Sequence, residues 1–191
     1  MSRISALIKR PKRTLAALTA VLAAVGVAVG SGADFTATSA NPSNTFASGT
    51  LSIDNSKEGV AVFTPTNMRP GGPTQSGTVD IKNTGSLAGT FTLSRTNLTN
   101  SDTTNPLAGK INLVVTDCGL FSGATPPTCG DGDDVVKYTG TLAAMNSAVA
   151  LGSYAASDKH RYQFDATLDS SADNNYQGDN ASARFQWDAT Q

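Results

Sequence analysis

The sequence predicts an all-β protein: a two-sheet antiparallel jelly-roll β-sandwich with at most a short helix, preceded by a cleaved signal peptide. Three observations carry that expectation. Apolar residues recur with a period of two through several short runs, the pattern of strands with one buried and one wet face. Clusters of Gly, Pro and Asn separate the runs. Helix-favouring composition is missing: Glu occurs once, as Glu58, while Ser, Thr and Asn fill 56 of 191 positions.

The first segment reads as an address. Arg3, Lys9, Arg10, Lys12 and Arg13 form a basic stretch with no acidic residue among them. Residues 14–29, TLAALTAVLAAVGVAV, are apolar but too short and Ala-rich for a comfortable membrane span. Gly30, Ser31, Gly32 and Ala33 follow, which puts small side chains where a signal peptidase reads them. Cleavage is expected between Ala33 and Asp34; an uncleaved anchor helix is the competing reading. The chain then divides into a signal peptide (1–33), an N-terminal extension (34–43) and a sandwich domain (44–191). No second apolar stretch of spanning length follows, so the product is expected to be secreted, extracellular and free of the membrane.

The net charge of −1 hides a division. All 15 acidic residues lie at or after Asp34, where only nine of the 14 basic ones remain. An acidic product with no basic stripe argues against nucleic acid as a partner.

The strands follow in order. Val79 and Ile81 alternate with Thr78, Asp80 and Lys82, and Phe91 and Leu93 with Thr90, Thr92 and Ser94. Ile111, Leu113 and Val115 form a third apolar row. Tyr162, Phe164, Ala166 and Leu168 form a fourth, and Ala183, Phe185, Trp187 and Ala189 a fifth. Pro70-Gly71-Gly72-Pro73, Asn83-Thr84-Gly85 and Tyr176-Gln177-Gly178-Asp179 supply turns between them. Residues 141–149, TLAAMNSAV, are the one stretch suited to a short helix. Residues 97–109 and 119–134 read as long surface loops, and Phe63 and Phe121 fall outside every run.

Three segments resemble the TasA/camelysin family of exported proteins, whose signal is processed by a dedicated signal peptidase. They are Asn44-Thr45-Phe46-Ala47-Ser48-Gly49-Thr50-Leu51, then Met68-Arg69-Pro70-Gly71 with Val79–Leu87 (VDIKNTGSL), and finally Asn175-Tyr176-Gln177-Gly178 with Phe185–Gln191 (FQWDATQ). The resemblance implies a jelly-roll subunit that polymerises head-to-tail into extracellular fibres of a biofilm matrix. Its partner is itself: the N-terminal strand of one subunit completes the sheet of the next. The segment freed by cleavage, Asp34-Phe35-Thr36-Ala37-Thr38-Ser39-Ala40, suits that donor role. It is uncharged after Asp34, rich in β-branched Thr, and offers Phe35 as an anchor. A frayed terminus is the alternative for the same residues.

Catalysis is not expected, although some relatives carry a metallo-endopeptidase label. A zincin needs two His one helical turn apart and a Glu base. This chain has His160 alone, inside an alternating run, with Glu58 about a hundred residues away. No G-x-S-x-G turn is present either, so no catalytic residue and no cofactor is assigned. Cys118 and Cys129 lie close enough to clip a loop as a disulfide in an oxidising exterior, with a pair of free thiols as the alternative. Asp131, Asp133 and Asp134 form a weak calcium candidate, or a solvated acidic turn, since the EF-hand spacing is absent. The rival to a fibre subunit is a monomeric secreted sandwich that binds carbohydrate or a cell-surface partner, with Tyr138, Tyr154 and Tyr176 as platforms.

Overall fold

The structure, a computed structural model, describes Lys12, residues 15–20 and residues 47–191. The signal-cleavage junction Ala33/Asp34, the extension 34–43 and its donor segment Asp34–Ala40 lie outside the described residues. Residues 15–20 are helical and exposed, and among the described residues no helix is long and apolar enough to cross a membrane.

Ala47–Gln191 form one compact unit, an antiparallel β-sandwich. Its strands are β1 (Ile53–Asn55), β2 (Gln75–Asn83), β3 (Gly89–Asn100), β4 (Ile111–Leu120), β5 (Val135–Thr141), β6 (Val149–Tyr154), β7 (Lys159–Leu168) and β8 (Ala181–Thr190). One sheet has the order β1-β2-β7-β4-β5, the other β6-β3-β8. The alternating rows meet between the sheets as expected. Val79, Ile81, Leu113, Val115, Tyr162 and Phe164 come from the five-stranded sheet, and Phe91, Leu93, Leu151 and Tyr154 from the three-stranded one. Each fully buried side chain of this size stabilises by about 1.5–3 kcal/mol. The register therefore cannot slip by one residue without turning a whole row into water.

Three local expectations are corrected. Residues 141–149 hold no helix: they form the turn from β5 to β6. Arg95 holds that turn from β3, donating from Nε to the Met145 carbonyl at 2.9 Å, while Met145 itself is buried. The helical turns within Ala47–Gln191 are single 3₁₀ segments, Leu107–Gly109 and Asn174–Tyr176. Residues 97–100 belong to β3 rather than to a loop, across a register shift between Thr96 and Thr99. Tyr154 is no exposed platform, since its ring is buried and stacks on Phe91 at 4.2 Å.

The turn from β2 into β3 joins the two sheets. Asn83 is fully buried there, and its amide donates to Leu87, Tyr154 and Ala155 carbonyls while its oxygen accepts from Gly85 N–H. Every polar atom of that side chain is used, so its burial costs little. Residues 49–52 dock on this turn through Ser86 Oγ and the Thr50 and Ser52 carbonyls. A Cβ at Gly85 would sit 2.3 Å from the Thr50 carbonyl oxygen, so this close approach requires glycine.

Candidate functional site

The two sheets differ in width, and the difference builds the site. β8 packs over β7, with Phe185 4.6 Å and Trp187 6.2 Å from the Phe164 ring. Among the described residues β8 pairs with β3 on one side and with nothing on the other. On that open side the wider sheet continues outward through β2 and β1. The chain leaving β1 keeps to the same edge. A Cβ at Gly77 in β2 would meet Phe63 Cβ and the Val62 carbonyl at 2.6 Å, so Gly77 lets residues 62–63 close on β2. Phe63 thereby reaches the core 6.4 Å from Phe164, which places a residue that fits no alternating run.

The result is a groove of about 610 Å³, floored by residues 53–63 and walled by residues 183–187 of β8. Its apolar surface comes from Ile53, Val60, Val62, Phe63, Phe185 and Trp187. The inward row of β8, Ala183 to Ala189, is half-buried throughout, whereas the matching rows of the interior strands are closed. Trp187 Nε1 is shielded from solvent and has no hydrogen-bond partner among the described residues. An unpaired strand edge above an apolar trough is the physical form of a strand acceptor.

The remaining sequence candidates lie elsewhere. Cys118 and Cys129 form a disulfide, with Cα atoms 4.8 Å apart, which clips the loop between β4 and β5. Bonded to each other, the sulfurs offer no thiolate to a metal even though the Asp134 carboxylate lies within 4.8 Å. Asp134 accepts a hydrogen bond from Gly130 N–H and so closes its own turn. Asp131 and Asp133 share a hydrogen bond, and that contact with the neighbouring negative charge raises the Asp131 carboxyl above its ordinary value. Phe121, the other unplaced aromatic, lies beneath Lys159 Nζ at 4.1 Å.

His160 is tied into a partly buried polar cluster around Asp117. Its Nδ1–H donates to Asp117, 3.0 and 3.1 Å from the two oxygens, and Lys137 Nζ stands 3.5 Å from the same carboxylate. Burial alone would raise the Asp117 carboxyl. The hydrogen bond and charge of His160, the Gly119 N–H and Lys137 outweigh burial and hold it below the ordinary value. Tyr154 stacks on His160 at 4.3 Å, and its hydroxyl bonds that of Tyr162. Burial pushes both phenols upward, so both stay protonated and the pair serves as a hydrogen-bonded core link. Sequence parity carries a signal for this cluster. Asp117 continues the row Leu113, Val115, and His160 continues the row Tyr162, Phe164, so each is a polar residue at an inward position.

A scan against protein-family models and a search of curated proteins found no match to this chain.

Proposed function

We propose that the protein is a secreted structural subunit that polymerises into extracellular fibres of a biofilm matrix, by donating residues 34–40 to the open edge of β8 in the next copy. The free β8 edge beside its apolar trough carries this reading. Paired on one side alone, β8 leaves backbone N–H and C=O groups along one edge open to an added strand. An eight-stranded jelly roll would pair its first strand beside its last. Here the orders β2-β7-β4-β5 and β8-β3-β6 fit that plan with the place beside β8 vacant, because β1 pairs with β2 instead.

The resemblance to the TasA/camelysin family points the same way. Two of the resembling segments are in direct contact: the Thr50 carbonyl accepts from Ser86 and Leu87 N–H in the turn Asn83–Leu87, and Thr50 N–H donates to Ser86 Oγ. The disulfide supports an oxidising exterior and fits a signal cut between Ala33 and Asp34 by a dedicated peptidase. Electron microscopy and size exclusion of the mature chain Asp34–Gln191 test the reading. Filaments from that chain, and monomers from one lacking Asp34–Ala40, are expected. A mature chain that stays monomeric at millimolar concentration contradicts it and favours the monomeric binding module.

A further inference from the structure

Lys57 and Glu58 line the groove side by side on the tight turn that follows β1, where Glu58 N–H donates to the Asn55 carbonyl at 3.0 Å and Val60 N–H to that of Lys57. Both are exposed, and neither belongs to an ion pair among the described residues. One other charged residue, Arg184, lines the groove, on β8 itself. The proposed occupant has matching economy. Residues 34–46 carry a single charged side chain, Asp34, and cleavage would add an α-amino group to that same residue.

The topology sets where that end would lie. Asn55 pairs with Ile81, Ile81 with His160, and His160 stacks on Tyr154, which stacks on Phe91, the partner of Ala189. The start of the Lys57–Glu58 turn is therefore level with the C-terminal half of β8. Phe63 lies beside Gly77, the partner of Phe164, which puts it level with Phe185. A strand antiparallel to β8 has its N-terminus at the Lys57–Glu58 half of the groove.

We propose that Glu58 captures the α-amino group of Asp34 from a second copy while Lys57 faces the Asp34 carboxylate, so that the acceptor reads whether a donor has been cleaved. The proposal rests on the strand-donation reading and adds to it a processing-dependent contact. A donor still joined to its signal has a neutral peptide bond where the amine should be, so Glu58 loses its partner. Capture of a terminal amine is a recurring way to recognise a chain end, and an exposed ion pair with a carboxylate changes affinity by up to about fivefold.

The test uses two peptides of residues 34–46, one with a free N-terminus and one N-acetylated, as inhibitors of filament growth by the mature chain. The free peptide is expected to half-inhibit growth at about one-fifth of the concentration the acetylated peptide needs. With a Glu58→Gln mature chain the two peptides should become equal. A mature chain carrying one extra Gly before Asp34, which moves the amine by a residue, should also elongate more slowly than the native chain. Equal potency of the two peptides on the native chain overturns amine capture while leaving strand donation intact. A fivefold gap that survives in Glu58→Gln overturns the assignment to Glu58. Growth unaffected by either peptide, together with filaments from a chain lacking Asp34–Ala40, overturns both proposals.

Discussion

Replacing both cysteines with alanine, Cys118→Ala with Cys129→Ala, should cost a definite amount of stability. The disulfide spans a sequence separation of 11 residues. Loop-closure entropy for that size is about 9 cal/mol/K, or about 2.8 kcal/mol at 25 °C. Cys118 is fully buried, and alanine at that position adds no unpaired polar group. For a unit of this size about 4 °C of melting temperature follows each kcal/mol, so the midpoint should fall by about 10 °C. Trp187, the single tryptophan, reports the transition from its seat against Phe164. Thermal and urea unfolding should agree, with the urea midpoint shifted and its slope raised by the more expanded unfolded chain. Adding a reductant to the native protein should reproduce the same shift. A loss below about 1 kcal/mol would refute the entropic argument, and would mean that the Asp134–Gly130 turn and the Lys159–Phe121 contact already order the loop.

Further outcomes follow from other sites. Asp117→Asn removes the carboxylate that holds His160 and Lys137, and urea titration at pH 7 should show a loss of about 2–4 kcal/mol. Because the folded Asp117 carboxyl lies below its unfolded value of about 3.9, its contribution is present above that pH and vanishes as pH falls through the folded value. The native protein should therefore lose stability on acidification below about pH 4, with a shallower loss in the Asn variant. Gly85→Ala would drive a methyl into the Thr50 carbonyl and the Leu51 backbone, so the docking of residues 49–52 should loosen at a cost of about 1–3 kcal/mol, measured by thermal melting.

The interior strands were legible because they obey one rule. Val79 and Ile81, Phe91 and Leu93, and the row from Tyr162 to Leu168 are apolar at every second position, since a strand in mid-sheet packs one face and wets the other. β5 escaped that rule. Val135 and Val136 are adjacent and both exposed, on an edge strand whose pairing with β4 shifts register between Val115 and Thr116. β6 escaped because its pairing with β3 shifts register between Phe91 and Thr92. The stretch 141–149 has helical composition, yet long-range contacts to Arg95 and the core decide its shape. Of the groove, only the β8 wall was readable. The floor depends on Phe63 crossing to Gly77 and on β1 choosing β2 rather than β8, and neither choice has a local signal.

The most direct measurement is amide hydrogen exchange along β8 in the monomeric and assembled protein. Strand donation into the open edge predicts that the β8 amides not bonded to β3 exchange freely in the monomer and slow by at least about 100-fold in filaments. Protection should also appear across residues 34–40, and residues 57–63 on the groove floor should change with them. Filaments in which β8 exchanges as fast as in the monomer, with protection gained elsewhere, would contradict assembly through this edge.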